Sequence, residues 1–529
     1  MTVTNQNNTT SVKNFTLACF TEEKRRDNRG RIFRVVAALK KCSNTLDLRT
    51  GRQIHAAVIQ RDDISDVYIA NTLLDMYFKC RSMEDARRVF DCMLHHTVVT
   101  WTSMVRGYAE SGQSNLAFQM YLSMQEEGFE PDRVTLLAAL KACGNLALEE
   151  QGKLVEGNVL KTKSLERGRA VHRQAVEGGV EMNLLVASSL VDLYAKCGSL
   201  VDARGVFDRM RQRDVVSWTS LIMGYAESGE SQLALSLFSR MQEQGCVPNV
   251  VTYMAALKAC GNLSALEAGR RIEAQIRIAR LQSNPLLATS LVDFYGKCGC
   301  MEQARYIFDS ISRKDLVAWD ALLSGYSLQG DSKKVIELLE RMAKDRVKPD
   351  GVVFLSVLGV CSHAGLVDKG LKLFEEMKTK YGLAPDIKHY TCLVDLLGRA
   401  NRVEQAVTVV ASMPMQADLR IWMVLLGACH KWGNVEAGRL AFDSVLKLDE
   451  RHGAAYVLMA NIYSRAGMTE ESEDVEALRR DTGTMNERSS WTDEADSFGG
   501  GHAADAGARA ALQAKLEEIF SNFHFDTSA

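Results

Sequence analysis

Histidine and cysteine are the side chains of this 529-residue chain from which a zinc centre could be built. A zinc centre that deaminates nucleobases needs an H-x-E motif followed by P-C-x-x-C, which places a glutamate beside the metal-bound water. None of the ten histidines is followed two residues later by glutamate, and the thirteen cysteines contain no C-x-x-C pair. The closest pair, Cys298 and Cys300, is more simply explained as part of a core. We therefore expect no catalytic residues, no metal site and no cofactor, and an enzyme acting alone is not expected.

The composition restricts the classes of partner. Hydrophobic residues make up 46% of the chain, which is enough for a continuous core. No apolar run approaches the roughly 18 residues of a membrane helix, so no membrane partner is expected. The net charge of −2 excludes a large basic surface that binds nucleic acid non-specifically. A nucleic-acid partner would have to be met by a locally basic groove and by contacts to bases.

The thirteen cysteines favour a reducing compartment. Their number is odd, and Cys143, Cys260 and Cys361 recur in register inside apolar helical stretches. Buried thiols fit this pattern better than a disulfide framework does.

Long internal repeats organise the chain. Trp101-Thr-Ser103 returns 117 residues later as Trp218-Thr-Ser220, and Leu190–Gly198 returns 101 residues later as Leu291–Gly299. Periods of this size indicate stacked helical hairpins rather than one globular core. The difference between 117 and 101, which is 16 residues, indicates an insertion in one unit.

The insertion is expected near Glu149–Ser164, between the two helices of its unit. It contains Lys153, Lys161 and Lys163, which could contact phosphate. A solvated loop is the alternative interpretation.

Four of the six prolines set the phase of the repeat. Pro131, Pro248, Pro349 and Pro385 each stand next to last in a unit, where proline ends a helix and starts an extended linker. The unit lengths are mostly 35, 35 and 31 residues in rotation. The predicted units are 32–66, 67–97, 98–132, 133–183, 184–214, 215–249, 250–284, 285–315, 316–350, 351–386 and 387–418.

The motifs and their order resemble those of plant-type pentatricopeptide repeat proteins with P-, L- and S-type units. The P-like units resemble Val98-Val-Thr-Trp-Thr-Ser-Met104, the L-like units Leu257-Lys-Ala-Cys-Gly261, and the S-like units Leu190-Val-Asp-Leu-Tyr-Ala-Lys-Cys-Gly198. The resemblance covers 32–418 and implies an all-α fold, a right-handed α-solenoid superhelix of helix–turn–helix repeats. The segments within 419–486 resemble the two C-terminal extension (E-type) motifs of the subgroup that edits organellar RNA.

The two ends of the chain carry weaker signals. Residues 1–31 match a transit peptide weakly, and a disordered tail is the alternative. Residues 487–529 faintly resemble the stretch that leads into a DYW deaminase domain, and no zinc motif follows in the sequence. We expect this tail either to dock a deaminase supplied by another protein or to be the remnant of a lost domain.

The resemblance assigns base reading to the fifth and last residues of each unit, because pentatricopeptide repeats read one base per repeat. An aspartate carboxylate only accepts and suits guanine N1–H and N2–H, whereas an asparagine amide both donates and accepts, as the edge of adenine requires. In the P-like and S-like units the pairs are Asn71/Thr97, Thr102/Asp132, Ser188/Asp214, Thr219/Asn249, Thr289/Asp315, Asp320/Asp350 and Thr391/Asp418.

The family rule takes threonine or serine at the fifth position as purine-reading and asparagine as pyrimidine-reading. Units 98–132, 184–214, 285–315 and 387–418 should then prefer G, unit 215–249 should prefer A, and unit 67–97 a pyrimidine. The pair Asp320/Asp350 departs from the rule, so its base stays undecided. The L-like units carry Leu137, Met254 and Leu355 at the fifth position, which cannot hydrogen-bond and are expected to act as spacers.

Apolar residues at the second position of the units could sandwich the bases. Ordinary helix packing is the alternative, but the recurrence of these residues in register favours contact with RNA. The predicted sandwiching residues are Val99, Val216, Val251 and Val317.

Three functions remain open. The first is a sequence-specific single-stranded RNA-binding factor that selects a cytidine for organellar C-to-U editing, with a DYW-type deaminase or an editing cofactor protein acting in trans. The second is an RNA binder that stabilises or blocks transcripts without editing. The third is a protein-binding helical scaffold, which would not require polar residues in register. The extension motifs favour the first function, in a mitochondrion or alternatively a plastid.

Overall fold

The structure, a computed structural model, describes residues 28–61, 65–155 and 158–482. The chain forms two compact units, the first ending at Leu263 and the second beginning at Ser264. The expected tail 487–529 lies outside the described residues, as does most of the expected tail 1–31. The first described helix begins at Asn28, four residues before the predicted start of the repeats.

The first unit is built from helical hairpins and one short β-hairpin. Its elements are α1 (Asn28–Thr45), α2 (Leu48–Gln60), α3 (Val67–Lys79), α4 (Met83–Asp91), α5 (Val98–Glu110), α6 (Ser114–Glu126), α7 (Arg133–Glu149), β1 (Lys153–Val155), β2 (Asn158–Leu160), α8 (Thr162–Glu177), α9 (Leu184–Lys196), α10 (Leu200–Arg209), α11 (Val215–Glu227), α12 (Ser231–Glu243) and α13 (Val250–Asn262).

The second unit is helical throughout its described residues. Its elements are α14 (Leu266–Ile278), α15 (Pro285–Lys297), α16 (Met301–Ser310), α17 (Leu316–Leu328), α18 (Ser332–Lys344), α19 (Gly351–His363), α20 (Val367–Thr379), α21 (Ile387–Arg399), α22 (Val403–Ala411), α23 (Leu419–Trp432), α24 (Val435–Leu448), α25 (Gly453–Arg465) and α26 (Thr469–Asp481). No described helix has the length and apolar character needed to cross a membrane.

Within each compact unit the two helices of a predicted repeat form a hairpin, and the first helices of successive repeats pack side by side. In the first unit α5 packs against α6 within one repeat, and also against α3 and α7 of the neighbouring repeats. In the second unit α15, α17, α19, α21 and α23 form the same kind of row. The all-α fold of stacked hairpins is therefore confirmed.

A tryptophan at the fourth position of the P-like repeats forms the core at the junction with the preceding repeat. Its ring meets the edge of a phenylalanine on the second helix of that repeat in a T-shaped contact, a favourable geometry for aromatic pairs. The recurrence seen in the sequence is thus a packing requirement. The contacts, by distance between ring centroids, are Phe90–Trp101 (4.9 Å), Phe207–Trp218 (4.7 Å) and Phe308–Trp319 (4.9 Å).

The first helices approach each other closely where they carry glycine. A Cβ atom added to Gly107 would lie 2.3 Å from the ring of Phe78. One added to Gly325 would lie 3.0 Å from the Cα atom of Gly296, which belongs to the neighbouring first helix α15. Glycine at these positions lets the first helices form one tightly packed layer.

The predicted insertion forms the end of α7 and an antiparallel β-hairpin in which Lys153 pairs with Leu160. Glu150 accepts hydrogen bonds from the backbone N–H groups of Lys163 and Ser164, at 2.9 and 2.8 Å, and so caps α8. The backbone N–H of Lys161 donates to the carbonyl of Cys197, at 3.0 Å, which ties the hairpin to the next repeat. Two contacts thus attach the described residues of the insertion to the neighbouring helices, while Lys153 and Val159 are exposed.

Candidate functional site

Besides Asp350, which is described below, six of the predicted base-reading residues are N-caps of first helices. The side chain of each accepts a hydrogen bond from the backbone N–H three residues further along, which satisfies one of the unpaired donors at the helix start. Their recurrence therefore has a structural cause that does not involve a ligand. The bonds run to Thr97 from Thr100 (3.3 Å), to Asp132 from Thr135 (2.8 Å), to Asp214 from Ser217 (2.9 Å), to Asn249 from Thr252 (2.9 Å), to Asp315 from Ala318 (2.9 Å) and to Asp418 from Ile421 (3.0 Å).

Capping uses only one of the two polar atoms in each aspartate or asparagine. In Asp132 and Asp315 the capping atom is Oδ1, and Oδ2 makes no hydrogen bond within the described part of the chain. In Asn249 the cap must likewise be the oxygen, which leaves the amide Nδ2 without a partner there. All three side chains are exposed. Aspartate therefore presents a free acceptor, whereas Asn249 presents a free donor.

The fifth-position hydroxyls of two repeats connect to these caps through a third hydroxyl. Thr219 Oγ1 lies 2.6 Å from Thr252 Oγ1, and Thr252 donates to Asn249 Oδ1 at 3.0 Å. In the repeat 98–132 the same chain runs from Thr102 through Thr135, at 2.6 Å, to Asp132 Oδ1, at 2.8 Å. The two predicted readers of each repeat are thus brought together.

The other predicted pairs differ from this arrangement. Ser188 donates directly to Asp214 Oδ1 at 2.8 Å. Thr391 donates to the carbonyl of Ile387, at 2.8 Å, and not towards Asp418. Thr289 makes no hydrogen bond to Asp315 in the described structure.

The fifth-position side chains of the linked pairs are buried. Thr102, Thr219 and Ser188 are 8%, 7% and 2% exposed. Asp132 and Asn249 are exposed, and Asp214 is half-buried. In these repeats most of the polar surface offered to a ligand belongs to the last residue, and the fifth residue supports it from within.

A row of exposed apolar side chains accompanies the caps. The row occupies the second position of the first helices. Side chains that pack in a core would be buried, whereas these are exposed. The four valines predicted to sandwich bases are 45–62% exposed. Five further members, two of them valines, were not among the residues predicted from the sequence. The whole row is Tyr68, Val99, Val134, Leu185, Val216 and Val251 in the first unit, and Leu286, Val317 and Val352 in the second.

A cleft of about 740 Å³ lies beside the pair Asn71/Thr97 in the first unit. Tyr68 and Val99, the second-position residues of two successive repeats, both line it. Asn71 Oδ1 is buried without a hydrogen-bond partner, so an unused acceptor borders the cleft. The cleft therefore combines two exposed apolar side chains with polar groups, as binding of a flat heterocycle requires.

The described residues contain no cluster of three or more histidine, cysteine, aspartate or glutamate side chains suited to a metal ion. The described cysteines are free thiols, and Cys143, Cys260 and Cys361 are buried. Burial raises the pKa of the Cys143 thiol to about 12, which keeps it protonated and unreactive.

Comparison with known families identifies the repeats. Models described as PPR repeat, PPR repeat family and pentatricopeptide repeat domain match the chain, and a model of the E motif matches 432–487. The matched repeat segments are 68–98, 96–145, 186–215, 213–262, 288–316, 307–364 and 352–381.

Relatives from Arabidopsis thaliana match over most of the chain. The putative pentatricopeptide repeat-containing protein At3g25060, mitochondrial, is 35% identical over 442 residues, which are 84% of this chain and 71% of that protein. The chain is a pentatricopeptide repeat protein. It is 35% identical over 82% of its length to At3g02330, mitochondrial, and 36% identical over 83% to At1g11290, chloroplastic. It spans about half the length of these two relatives, 48% and 52%.

Solved structures show the same fold. The crystal structure of PPR10 from maize has a TM-score of 0.52 and 17% sequence identity, and the alignment covers 91% of this chain and 78% of that one. PPR10 in complex with an 18-nt psaJ RNA element aligns with a TM-score of 0.51.

One predicted base-reading position of this pentatricopeptide repeat protein is chemically unusual. Asp320 is half-buried, and its Oδ1 has no hydrogen-bond partner. Burial, followed by the nearby carboxylates of Asp350 and Asp293, raises the pKa of Asp320 to about 6. Asp350 itself caps α19 through the backbone N–H of Val353, at 3.1 Å. The pair Asp320/Asp350, which departs from the family rule, therefore contains a carboxyl group whose pKa is raised towards neutral pH.

The second-position row changes character near its C-terminal end. Lys388 and Arg420 occupy the second position of α21 and α23, where Val352 occupies it in α19. Both side chains are exposed, and neither makes an ion pair or a side-chain hydrogen bond within the described residues. The first turns of α21 and α23 thus each carry an exposed positive charge close to the N-cap residue, Asp386 or Asp418.

Proposed function

We propose that the chain binds single-stranded RNA in a sequence-specific manner and selects a cytidine for C-to-U editing in an organelle. The deaminase is supplied in trans by a DYW-type protein or an associated editing cofactor. The organelle is the mitochondrion, with the plastid as the alternative, since the relatives are named mitochondrial or chloroplastic.

One observation carries the RNA-binding part of the proposal. Each capping aspartate leaves an acceptor free and Asn249 leaves a donor free, beside a row of exposed apolar side chains. A free acceptor complements guanine N1–H, and a free donor complements adenine N1. Apolar side chains on either side of a base supply contact that does not depend on the sequence. A protein-binding scaffold would not require this alternation.

Two similarities support the proposal further. A homologous fold, that of maize PPR10, has been crystallised with an RNA element. The E motif at 432–487 supports editing over protection of transcripts, because the resemblance associates this motif with editing factors.

The base-reading part is tested by Asn249→Asp. Both residues cap helices well, so the fold is retained, while the free donor becomes a free acceptor. We expect the preference at one nucleotide to move from A to G by about tenfold or more, since a good bidentate contact contributes about 1–3 kcal/mol. The measurement is the dissociation constant for RNAs that differ at that base alone.

Asp132→Asn is the matched control, because it should produce the reverse exchange at a different nucleotide. If neither variant exchanges a preference, base reading by the caps is wrong. Editing is tested separately by sequencing organellar RNA from plants without the protein. Loss of one C-to-U event supports editing, whereas loss of a transcript end with editing intact supports the protective alternative.

A further inference from the structure

Two of the predicted base-reading pairs are linked through one residue that belongs to neither position. That residue is the third of the following repeat. In two repeats, at Thr135 and Thr252, its hydroxyl joins the fifth and last residues by a chain of hydrogen bonds. The hydroxyl of Thr100 bonds Thr97 and that of Ser217 bonds the backbone of Asp214, and in the described structure neither links the pair of its repeat. Where the third residue is Ala318 or Ile421, no such chain forms within the described residues.

We propose that Thr135 and Thr252 are positioning residues that hold the base-reading side chains of Asp132 and Asn249 in one orientation and so sharpen base discrimination. The inference rests on the proposed RNA-binding function. It assigns a specificity role to fully buried side chains, since both threonines have no exposed surface.

Asparagine shows most clearly why the third residue matters. Asn249 Oδ1 accepts from both the backbone N–H of Thr252, at 2.9 Å, and its hydroxyl, at 3.0 Å. Rotation of the amide by half a turn would break both bonds and present an oxygen to the base instead of an N–H donor. Since the two orientations favour different bases, the hydroxyl of Thr252 suppresses misreading.

The buried fifth residue completes the chain. A hydroxyl has only one hydrogen to donate. If Thr219 donates to Thr252, at 2.6 Å, Thr252 is left to direct its own hydrogen at Asn249. Each hydrogen is then used once, and the direction of the chain is defined. The chain from Thr135 to Asp132 differs at its start, because the Thr102 hydroxyl also lies 2.7 Å from the carbonyl of Val98, a second acceptor for its one hydrogen.

The loss experiment compares Thr252→Val with Thr252→Ser. Valine keeps the shape of the side chain without the hydroxyl, and serine keeps the hydroxyl. We expect Thr252→Val to lower the A-over-G affinity ratio at its nucleotide about three- to tenfold, the effect of one hydrogen bond. Thr252→Ser should retain the ratio of the parent protein. The ratio at the nucleotide read by Asp132 should not change in either variant.

The gain experiment uses Ala318→Thr, which would supply the missing hydroxyl between Thr289 and Asp315. Ala318 is fully buried, as are the corresponding Thr135 and Thr252. Ala318→Thr should raise the preference for G at its nucleotide about three- to tenfold. Ala318→Val is the control for packing and should leave the preference unchanged.

An unaltered A-over-G ratio in folded Thr252→Val overturns the inference. If Thr252→Val does not fold, Ala318→Thr decides the question. The inference is overturned if Ala318→Thr does not raise the preference for G, or if Ala318→Val raises it equally. These outcomes differ from failure of the proposed function. If the proposed function fails, the unmodified chain binds RNA without base preference, or Asn249→Asp does not change the base preference.

Discussion

At the scale of single residues, helix capping and base reading place compatible demands on one side chain. A cap needs a short side chain with an acceptor, and aspartate and asparagine have a second polar atom to spare. Asp132 and Asn249 cap their helices identically yet present opposite hydrogen-bonding groups to solvent. If the caps read bases as proposed, one substitution would change the base preference of a repeat without loss of its cap.

The carboxyl of Asp320 makes the stability of the protein depend on pH. Its pKa is raised to about 6 from an ordinary value of 3.8, so the folded state binds the proton more tightly than the unfolded state. Stability from this group is present below about pH 4 and is lost as pH rises through about 6. Asp320→Asn cannot ionise and should be more stable than the parent at pH 7.5, by on the order of 1 kcal/mol.

This effect is measured as the difference in melting temperature between Asp320→Asn and the parent protein. Both are unfolded at pH 4.5 and at pH 7.5 and followed by circular dichroism. The difference should shrink at the lower pH. Asp208→Asn is the control, because Asp208 is ion-paired with Arg204 at 2.7 Å and is not one of the carboxylates that raise the pKa of Asp320. An equal shift for Asp320→Asn at both pH values would contradict the assignment.

At the scale of helices, the row of first helices depends on glycine where two backbones meet. A Cβ atom on Gly325 would lie 3.0 Å from Gly296 Cα, and backbone cannot move aside as a flexible side chain can. Gly359 lies on α19, and a Cβ atom there would meet no atom within 4 Å. The two glycines differ in surroundings although both are helical.

Gly325→Ala should destabilise the second unit by about 1–3 kcal/mol, the usual effect of overpacking. Gly359→Ala should stabilise it by about 0.5–1 kcal/mol, because alanine is the better helix former. Urea unfolding of the two variants measures the difference. Shifts of the same sign would show that the close approach of α15 and α17 does not limit the substitution.

At the scale of the whole molecule, a chain with a net charge of −2 cannot rely on bulk electrostatic attraction to RNA. In the proposed RNA-binding function, phosphate contacts would come from particular cations, and Lys388 and Arg420 are the second-position candidates in the second unit. Binding to single strands weakens with salt by about 0.7 in logarithmic slope for each phosphate contact.

The double variant Lys388→Val, Arg420→Val should therefore bind RNA with a slope shallower by about 1.4 in a plot of log affinity against log salt concentration. Val352→Ala, the control at an apolar second position, should weaken binding without changing the slope. A double variant with the slope of the parent would show that these side chains do not contact phosphate.

The insertion is expected to be dispensable for base reading. The β-hairpin follows the C-terminal end of α7, whose N-cap is Asp132, and a helix of this length separates the two by about 25 Å. Removal of residues 147–162 gives the repeat the length of its counterpart at 250–284 and should leave base preference unchanged. Measured preferences that change at the Asp132 nucleotide would assign the hairpin a role in RNA binding.

The sequence by itself determined the repeats, their phase and their helices, because each hairpin is a local unit whose apolar periodicity and caps are encoded within about 35 residues. The predicted unit 98–132, for example, occurs as the two helices Val98–Glu110 and Ser114–Glu126. The positions of the polar pairs followed from the resemblance. The capping signal, a short polar residue before an apolar run, was present in the sequence and would have explained the last position.

Only the tertiary structure decided which polar atoms are available to a ligand. Burial of Thr102 and Thr219, and the hydroxyl chains through Thr135 and Thr252, depend on how the first helix of one repeat packs on the next. The raised pKa of Asp320 has the same origin, since its two carboxylate neighbours lie on different helices. The spacing of residues along the chain shows which positions recur from repeat to repeat. Hydrogen bonds between repeats depend on the distance between two packed helices, and the sequence of a single repeat does not determine that distance.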